Sequence, residues 1–253
     1  MPELQTEWIT VQVADGTSMR VYVARPRDAN CHTGLLVYHE AFGVNAHIRD
    51  VTERLAREGY LAAAPELYHR TAPGFEAAYN NFESALPHVR ALTYQGLEAD
   101  VRAAFEWLRA DPATPGQPIA CIGFCLGGRV TFLTNAVLPV SAAISFYGGG
   151  IAPNPFSTGL LDRAGDLHAP QMLLWGGLDK HIGPEVTRAV TESLRAAGKP
   201  FVHVEFSDAD HGFFCDARSN YNPNAARQAW ALALTFLDIY ANADPSPATA
   251  GSG

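Results

Sequence analysis

The chain has almost no lysine. Only Lys180 and Lys199 occur among its 18 basic residues, which face 26 acids, and the formal charge is −8 at pH 7. That balance excludes the basic footprint of a nucleic-acid binder and the polybasic patch of a membrane anchor. No apolar run approaches the roughly 20 residues that a membrane helix needs. The opening Met1-Pro2-Glu3-Leu4-Gln5-Thr6-Glu7 carries acids where a secretory signal has a positive region and an apolar core. The expectation is a soluble, cytoplasmic protein without nucleic-acid or membrane partners. Cysteine is scarce too, at positions 31, 121, 125 and 215, so neither a disulfide framework nor a CxxC zinc pair is available. No H-x-x-x-H or cysteine cluster has metal-ligand spacing, and no metal is expected. Gly148-Gly149-Gly150 follows a strand-like run but brings neither GxGxxG nor a Walker lysine. No cofactor is expected.

What remains is apolar material. At 47% hydrophobic and 17% charged residues, 253 residues can bury a full core. Residues 7–14 and 18–25 alternate around Asp15-Gly16, the pattern of an antiparallel hairpin. Gly34–Tyr38 is a continuous apolar run, as in a strand covered on both faces. Ile48, Val51, Leu55 and Ala56 then recur at helical spacing up to Gly59, and Tyr60–Ala64 is the next strand.

From Pro65 to about Ala91 the periodicity dissolves among Pro65, Pro73, Gly74 and Pro87, with Tyr68, Phe75, Tyr79 and Phe82 between them. Insertions of that length are commonly lids or binding loops. Helical spacing resumes at Leu97, Val101, Ala104, Phe105 and Leu108. Ile119–Gly123, Ala142–Tyr147, Gln171–Trp175 and Phe201–Phe206 read as strands. Leu126–Val137, Glu185–Ala197 and Ala225–Tyr240 read as helices. Alternation at this pitch means βαβ units and a mostly parallel sheet flanked by helices. The expected organisation is one α/β domain over residues 1–243 with a lid-like insertion at 65–91, followed by a disordered tail at 244–253.

The sharpest signal is Gly123-Phe124-Cys125-Leu126-Gly127-Gly128, where a strand ends and a helix begins. It has the form G-x-C-x-G. In the serine version of this turn, small glycines permit a strained reversal that lifts the central side chain above the sheet. A cysteine at a helix N-terminus also feels the positive end of the helix dipole, which favours thiolate. A small buried cysteine packed between glycines is the alternative. Chain order favours chemistry. Asp179 follows one predicted strand and His211 the next, the nucleophile–acid–histidine order of α/β-hydrolases. Singly, Asp179 reads equally as a helix cap and His211 as a hydrogen-bonded surface histidine. All three would project from the C-terminal edge of the sheet, where such folds bind ligands.

With these residues in place, the chain resembles the dienelactone hydrolase family. His39-Glu40-Ala41-Phe42-Gly43-Val44-Asn45 is similar to its (Q/H)-E-x-F-G-x-N segment, and Arg49-Asp50, Gly59-Tyr60 and Pro65-Glu66-Leu67-Tyr68 continue the likeness. The cysteine turn, Gly176–Asp179 and His211-Gly212-Phe213 match later blocks, so the resemblance spans roughly residues 10–240. It implies an α/β-hydrolase fold and a Cys125–His211–Asp179 triad acting on lactones or activated carboxylic esters through a thioester. The backbone N–H groups of Leu126 and Ala41 would form the oxyanion hole.

By the same resemblance Glu40 hydrogen-bonds the resting thiol and accepts its proton when substrate arrives. A salt bridge to an arginine is the alternative for a carboxylate so poorly solvated. In the family two arginines hold a substrate carboxylate, one of them four residues after the histidine. Cys215 stands there in this chain, and Arg218 is the nearest arginine. The second arginine falls in the 65–91 insertion, where Arg70, Arg90 and His88 are candidates. Tyr147, Phe42 and Phe213 are expected beside the substrate, a small-molecule ester or lactone; the oligomeric state is not readable. Phosphotriesters are conceivable side substrates for a soft thiolate. Rival readings are a non-catalytic small-acid-binding or regulatory relative, and a thiol redox protein using Cys121 with Cys125.

Overall fold

The computed structural model describes residues 2–27, 31 and 33–241. The 244–253 tail, and with it the expected disorder, lies outside the described residues. The chain opens with an antiparallel hairpin, β1 (Leu4–Gln12) and β2 (Ser18–Pro26), closed over Asp15 and Gly16. Then follow β3 (Gly34–Tyr38), α1 (Ala46–Arg57) and β4 (Leu61–Pro65). After these come α2 (Phe82–Ala91), α3 (Tyr94–Ala110), β5 (Ile119–Phe124), α4 (Leu126–Val137) and β6 (Ala143–Phe146). The last third holds a 3₁₀ turn at Leu161–Asp166, β7 (Gln171–Gly176), α5 (Pro184–Ala196), β8 (Phe201–Phe206) and α6 (Pro223–Tyr240).

The eight strands form one sheet in the order β1-β2-β4-β3-β5-β6-β7-β8. The pairs β1–β2 and β2–β4 are antiparallel, and the other five pairs are parallel. Every residue of β3 to β7 is buried, which is why those strands appear in the sequence as unbroken apolar runs. The edge strands β1 and β8 are largely exposed. Arg54 of α1 lies 4.2 Å over the Trp230 ring of α6, tying those helices together. On other flanks α3 packs on α4, and the 3₁₀ turn packs against both α4 and α5. The chain leaves β3 towards β4 and returns across it to β5, so the strand order reverses between β3 and β5. A crevice opens at such a switch point, at the C-terminal ends of the strands. Tyr38 of β3 is paired with Gly123 of β5 there.

Three local features differ from the sequence reading. The 65–91 stretch contains a regular helix, α2, in addition to turns. Its signal is short, because only Ala85 and Val89 are buried and Pro87 sits within it. Asn81 starts it by accepting from the Ser84 amide. The 3₁₀ turn, with Ala164 as its one buried residue, gave no period to read. And β6 stops at Phe146, because Tyr147 turns into the left-handed region at φ +38°.

Candidate active site

The end of β5 positions Cys125. Gly123 and Gly127 let the turn pass so close to β3 that a Cβ at Gly127 would overlap the carbonyl of Tyr38, and one at Gly123 the carbonyl of Gly127. The Gly127 amide donates to His39 O at 3.0 Å and the Cys125 amide to Phe146 O at 3.0 Å, so the turn is stitched to β3 and β6. Cys125 is forced to φ +53°, ψ −111° at the N-cap of α4. A non-glycine residue held there costs about 1–3 kcal/mol and persists only where its surroundings impose it. The thiol keeps partial access to solvent, whereas Cys31, Cys121 and Cys215 are buried.

His211 stands in the turn after β8 and meets Cys125 across the crevice. Its Nδ1 hydrogen-bonds Asp179 Oδ2 at 2.7 Å, leaving Nε2 for the Cys125 thiol, its other side-chain partner. Asp179 is locked in turn, since its Oδ1 accepts from the amides of His181 at 2.8 Å and Ile182 at 3.0 Å. Burial opposes ionisation of Asp179, but the His211 contact and these amides outweigh it and hold the carboxyl below its usual range. Burial likewise opposes the charge on His211, and the Cys125 sulfur and the Asp179 hydrogen bond overcome it, raising the imidazole to about 10. Asn220, for which the sequence offers no signal, donates from Nδ2 to the His211 carbonyl.

Glu40 follows β3 and is 1% exposed. Its Oε1 accepts from Arg218 Nη1 at 3.0 Å, and its Oε2 is buried without a partner. The arrangement is the arginine salt bridge that the sequence left open as an alternative. Arg218 lies 5.7 Å from the ring centres of both Phe42 and Tyr79, so it reaches the site and does not extend into solvent. The backbone of Ala41 is fixed by Tyr68, whose hydroxyl donates to Ala41 O at 3.2 Å. Leu126 packs beside Ala41, Tyr68, Ala85 and Val89, which brings α2 under the two expected oxyanion amides. His39 is the second missed residue. Burial lowers it to about 4, so it is neutral, and it bridges Glu40 O to the Leu67 amide.

Not every expected residue lines the crevice. Phe213 is wholly buried among Phe146, Tyr147 and Phe206, a core position. Tyr147 is also wholly buried, its ring 5.2 Å from that of His211 and its hydroxyl unpartnered. Arg70 is engaged by Asp100 and Asp15, Arg90 is exposed, and His88 packs on Phe75 and bonds Thr71. Cys121 lies inside β5 with its thiol pushed far up by burial, which leaves it unsuited to redox exchange with Cys125. Among the described residues one grouping has metal-ligand proximity: His47, Cys215 and the exposed Asp216. Its thiol is pushed up to about 11 by burial and the charge of Glu40, which disfavours the thiolate a metal needs.

The sequence model of the Dienelactone hydrolase family matches residues 19–241. A relative from Synechocystis sp., described as "Putative carboxymethylenebutenolidase", is 36% identical over 217 residues, covering 83% of this chain and 87% of that one. The "Carboxymethylenebutenolidase" of Pseudomonas putida is 30% identical over 236 residues, covering 92% and 96%. The crystal structure of a "Putative Dienelactone Hydrolase" from Klebsiella pneumoniae superposes with a TM-score of 0.82 at 31% identity, over 94% of this chain and 100% of that one.

Proposed function

The chain belongs to the dienelactone hydrolase family, and from that premise we propose that it hydrolyses lactones or activated carboxylic esters by acylating Cys125. The observation that carries this reading is the hydrogen-bonded run Asp179–His211–Cys125 at the switch point of the sheet. A free thiol is only a few per cent ionised at pH 7, so the raised imidazole beside it matters. His211 takes the thiol proton and the thiolate attacks the acyl carbonyl. The amides of Leu126 and Ala41 receive the oxyanion, and the alcohol or enol leaves with the proton from His211. His211 then draws a proton from water, hydroxide attacks the thioester, and the carboxylic acid departs. Asp179 keeps Nε2 of the imidazole facing the thiol throughout.

Glu40 is the second proton acceptor in this reading. Arg218 neutralises one of its oxygens, and the unpartnered Oε2 is the oxygen available to the thiol proton. Replacing it, Glu40→Gln, should alter the pH profile of thiolate absorbance; an unaltered profile counts against the role. A soft thiolate also suits phosphotriesters as side substrates, and paraoxon left unhydrolysed by the pure protein would remove that extension.

The test is initial rates on p-nitrophenyl acetate and a dienelactone for the wild type, Cys125→Ala and Cys215→Ala. Cys125→Ala should lose about 10⁶-fold, the scale of removing the nucleophile of a triad, and Cys215→Ala should retain turnover. Equal rates in Cys125→Ala and the wild type would leave a small-acid-binding protein on a hydrolase fold as the better reading.

A further inference from the structure

The sheet leaves an edge open at β8. That strand is paired with β7 alone, and no further strand lies on its outer side. Natural edges are blunted by a lysine or proline within the strand, by a bulge, or by a covering segment. β8 reads Phe201-Val202-His203-Val204-Glu205-Phe206 and holds neither residue. Its register with β7 runs without a slip from Gln171↔Phe201 to Gly176↔Phe206, so there is no bulge. Val202 is 36% exposed, and His203 and Glu205 are exposed with it, so none of the described residues covers the strand.

The backbone of β8 selects a register for a partner. Pro200 O accepts from the Gln171 amide at 3.1 Å, and Phe206 O from the Gly177 amide at 2.8 Å. Successive residues of a strand turn their N–H and C=O groups to alternate sides. The even-numbered residues therefore serve β7, and Phe201, His203 and Glu205 turn theirs outward. A second β8, brought up antiparallel about a two-fold axis at His203, sets His203 against its own copy and Phe201 against Glu205 of the second copy. These are the hydrogen-bonded positions of an antiparallel ladder, and every outward group finds a partner. Moving the axis to Val202 or Val204 leaves one of the three residues without a strand partner.

The side chains agree with this register. Phe201, His203 and Glu205 share one face of the sheet, and Arg195 of α5 lies over that face, 5.4 Å from the Phe201 ring centre. Desolvation lowers His203 from its ordinary value, with Glu205 opposing the shift and Arg195 adding to it, as neighbours on one face do. Setting Phe201 against Glu205 of the second copy thus brings Arg195 of one copy to Glu205 of the other, twice by symmetry. Neither Arg195 nor Glu205 has an ion-pair partner among the described residues, so both charges are free for this contact. On the opposite face the exposed Val202 meets Val204 of the second copy at a non-hydrogen-bonded position, where side chains approach most closely. The other edge of the sheet is not self-complementary in this way: β1 holds one charge, Glu7, and Arg25 already pairs with it. We propose that β8 is a dimer interface at which two copies of the chain join their sheets edge to edge, with Arg195 and Glu205 as reciprocal ion pairs. The partner strand runs the opposite way, so the two crevices open at opposite edges of the joined sheet and neither is covered.

Sedimentation velocity of the full chain tests this from micromolar to submillimolar concentration, at pH 8, where the facing His203 rings are uncharged. The wild type should sediment with a mass near twice the 27.3 kDa of the chain. Arg195→Glu and Glu205→Arg each set like charges against each other twice, and each should raise the dissociation constant about 10-fold or more. Mixed in equal amounts, the two variants should dimerise as the wild type does, since one copy then supplies both acids and the other both bases. That rescue also shows that neither variant has lost its fold. His203→Pro, tolerated at an edge whose N–H faces solvent, should dissociate the dimer too. A chain that stays monomeric throughout overturns the proposal and leaves the edge to an extended segment of another protein or to no partner. A dimer that the single variants leave intact, or that mixing does not restore, overturns it as well, because Arg195 and Glu205 then do not face each other. No substrate enters these measurements, so their outcome is separate from that of the hydrolase reading.

Discussion

In the proposed reaction three side chains, Cys125, His211 and Asp179, carry the chemistry, and their protonation states are coupled. His211 is raised to about 10 because the Cys125 sulfur and Asp179 favour its cation more than burial opposes it. An NMR titration of the imidazole should therefore show a midpoint near 10 in the wild type, moving down in Cys125→Ala. The sign for stability follows from the same shift. An unfolded histidine titrates near ~6.5, so the stabilisation is complete below that pH and is lost as pH rises through about 10. The melting-temperature gap between the wild type and His211→Gln should be widest near pH 6 and close towards pH 10. At this scale the sequence was legible where a residue's neighbours are local. Cys125 announces itself through its own flanking glycines. Asn220 did not, because what distinguishes it is a carbonyl that only the fold brings to it.

The turn between β5 and α4 concentrates the constraints of whole elements. Its glycines allow β3, β5 and β6 to meet, so Gly127→Ala must displace the end of β3. Overpacking of this kind costs about 1–3 kcal/mol, and a displacement of ~1 Å at a reaction centre costs on the order of 10²-fold in rate. Denaturant unfolding and p-nitrophenyl acetate rates should register both losses; an unaffected rate would mean that the turn does not position the thiol. The strands were readable because burial on both faces leaves an unbroken apolar run. By contrast α2 was hidden, since two buried residues and an internal proline make no recognisable period. Its place under Ala41 and Leu126 is a tertiary fact that local pattern does not encode.

Across the whole molecule, the crossing of β3 by the return from β4 to β5 produces the crevice, and the sheet holds its rims at fixed separation. Leu36 in β3 is fully buried; Leu36→Ala should cost about 2–5 kcal/mol, seen as a lower urea midpoint. The parallel sheet was evident from alternating elements, but the reversal of strand order was not, because pairing across β3 depends on contacts distant in sequence. The central claim is that Cys125 is acylated during turnover. Its most direct test is to acid-quench the protein during steady-state hydrolysis of p-nitrophenyl acetate and map the acetyl group by peptide mass. An acetyl thioester on the Cys125 peptide, absent from Cys125→Ala, is the predicted result. Continued hydrolysis with no adduct on Cys125, or with the acetyl group on another residue, would contradict it.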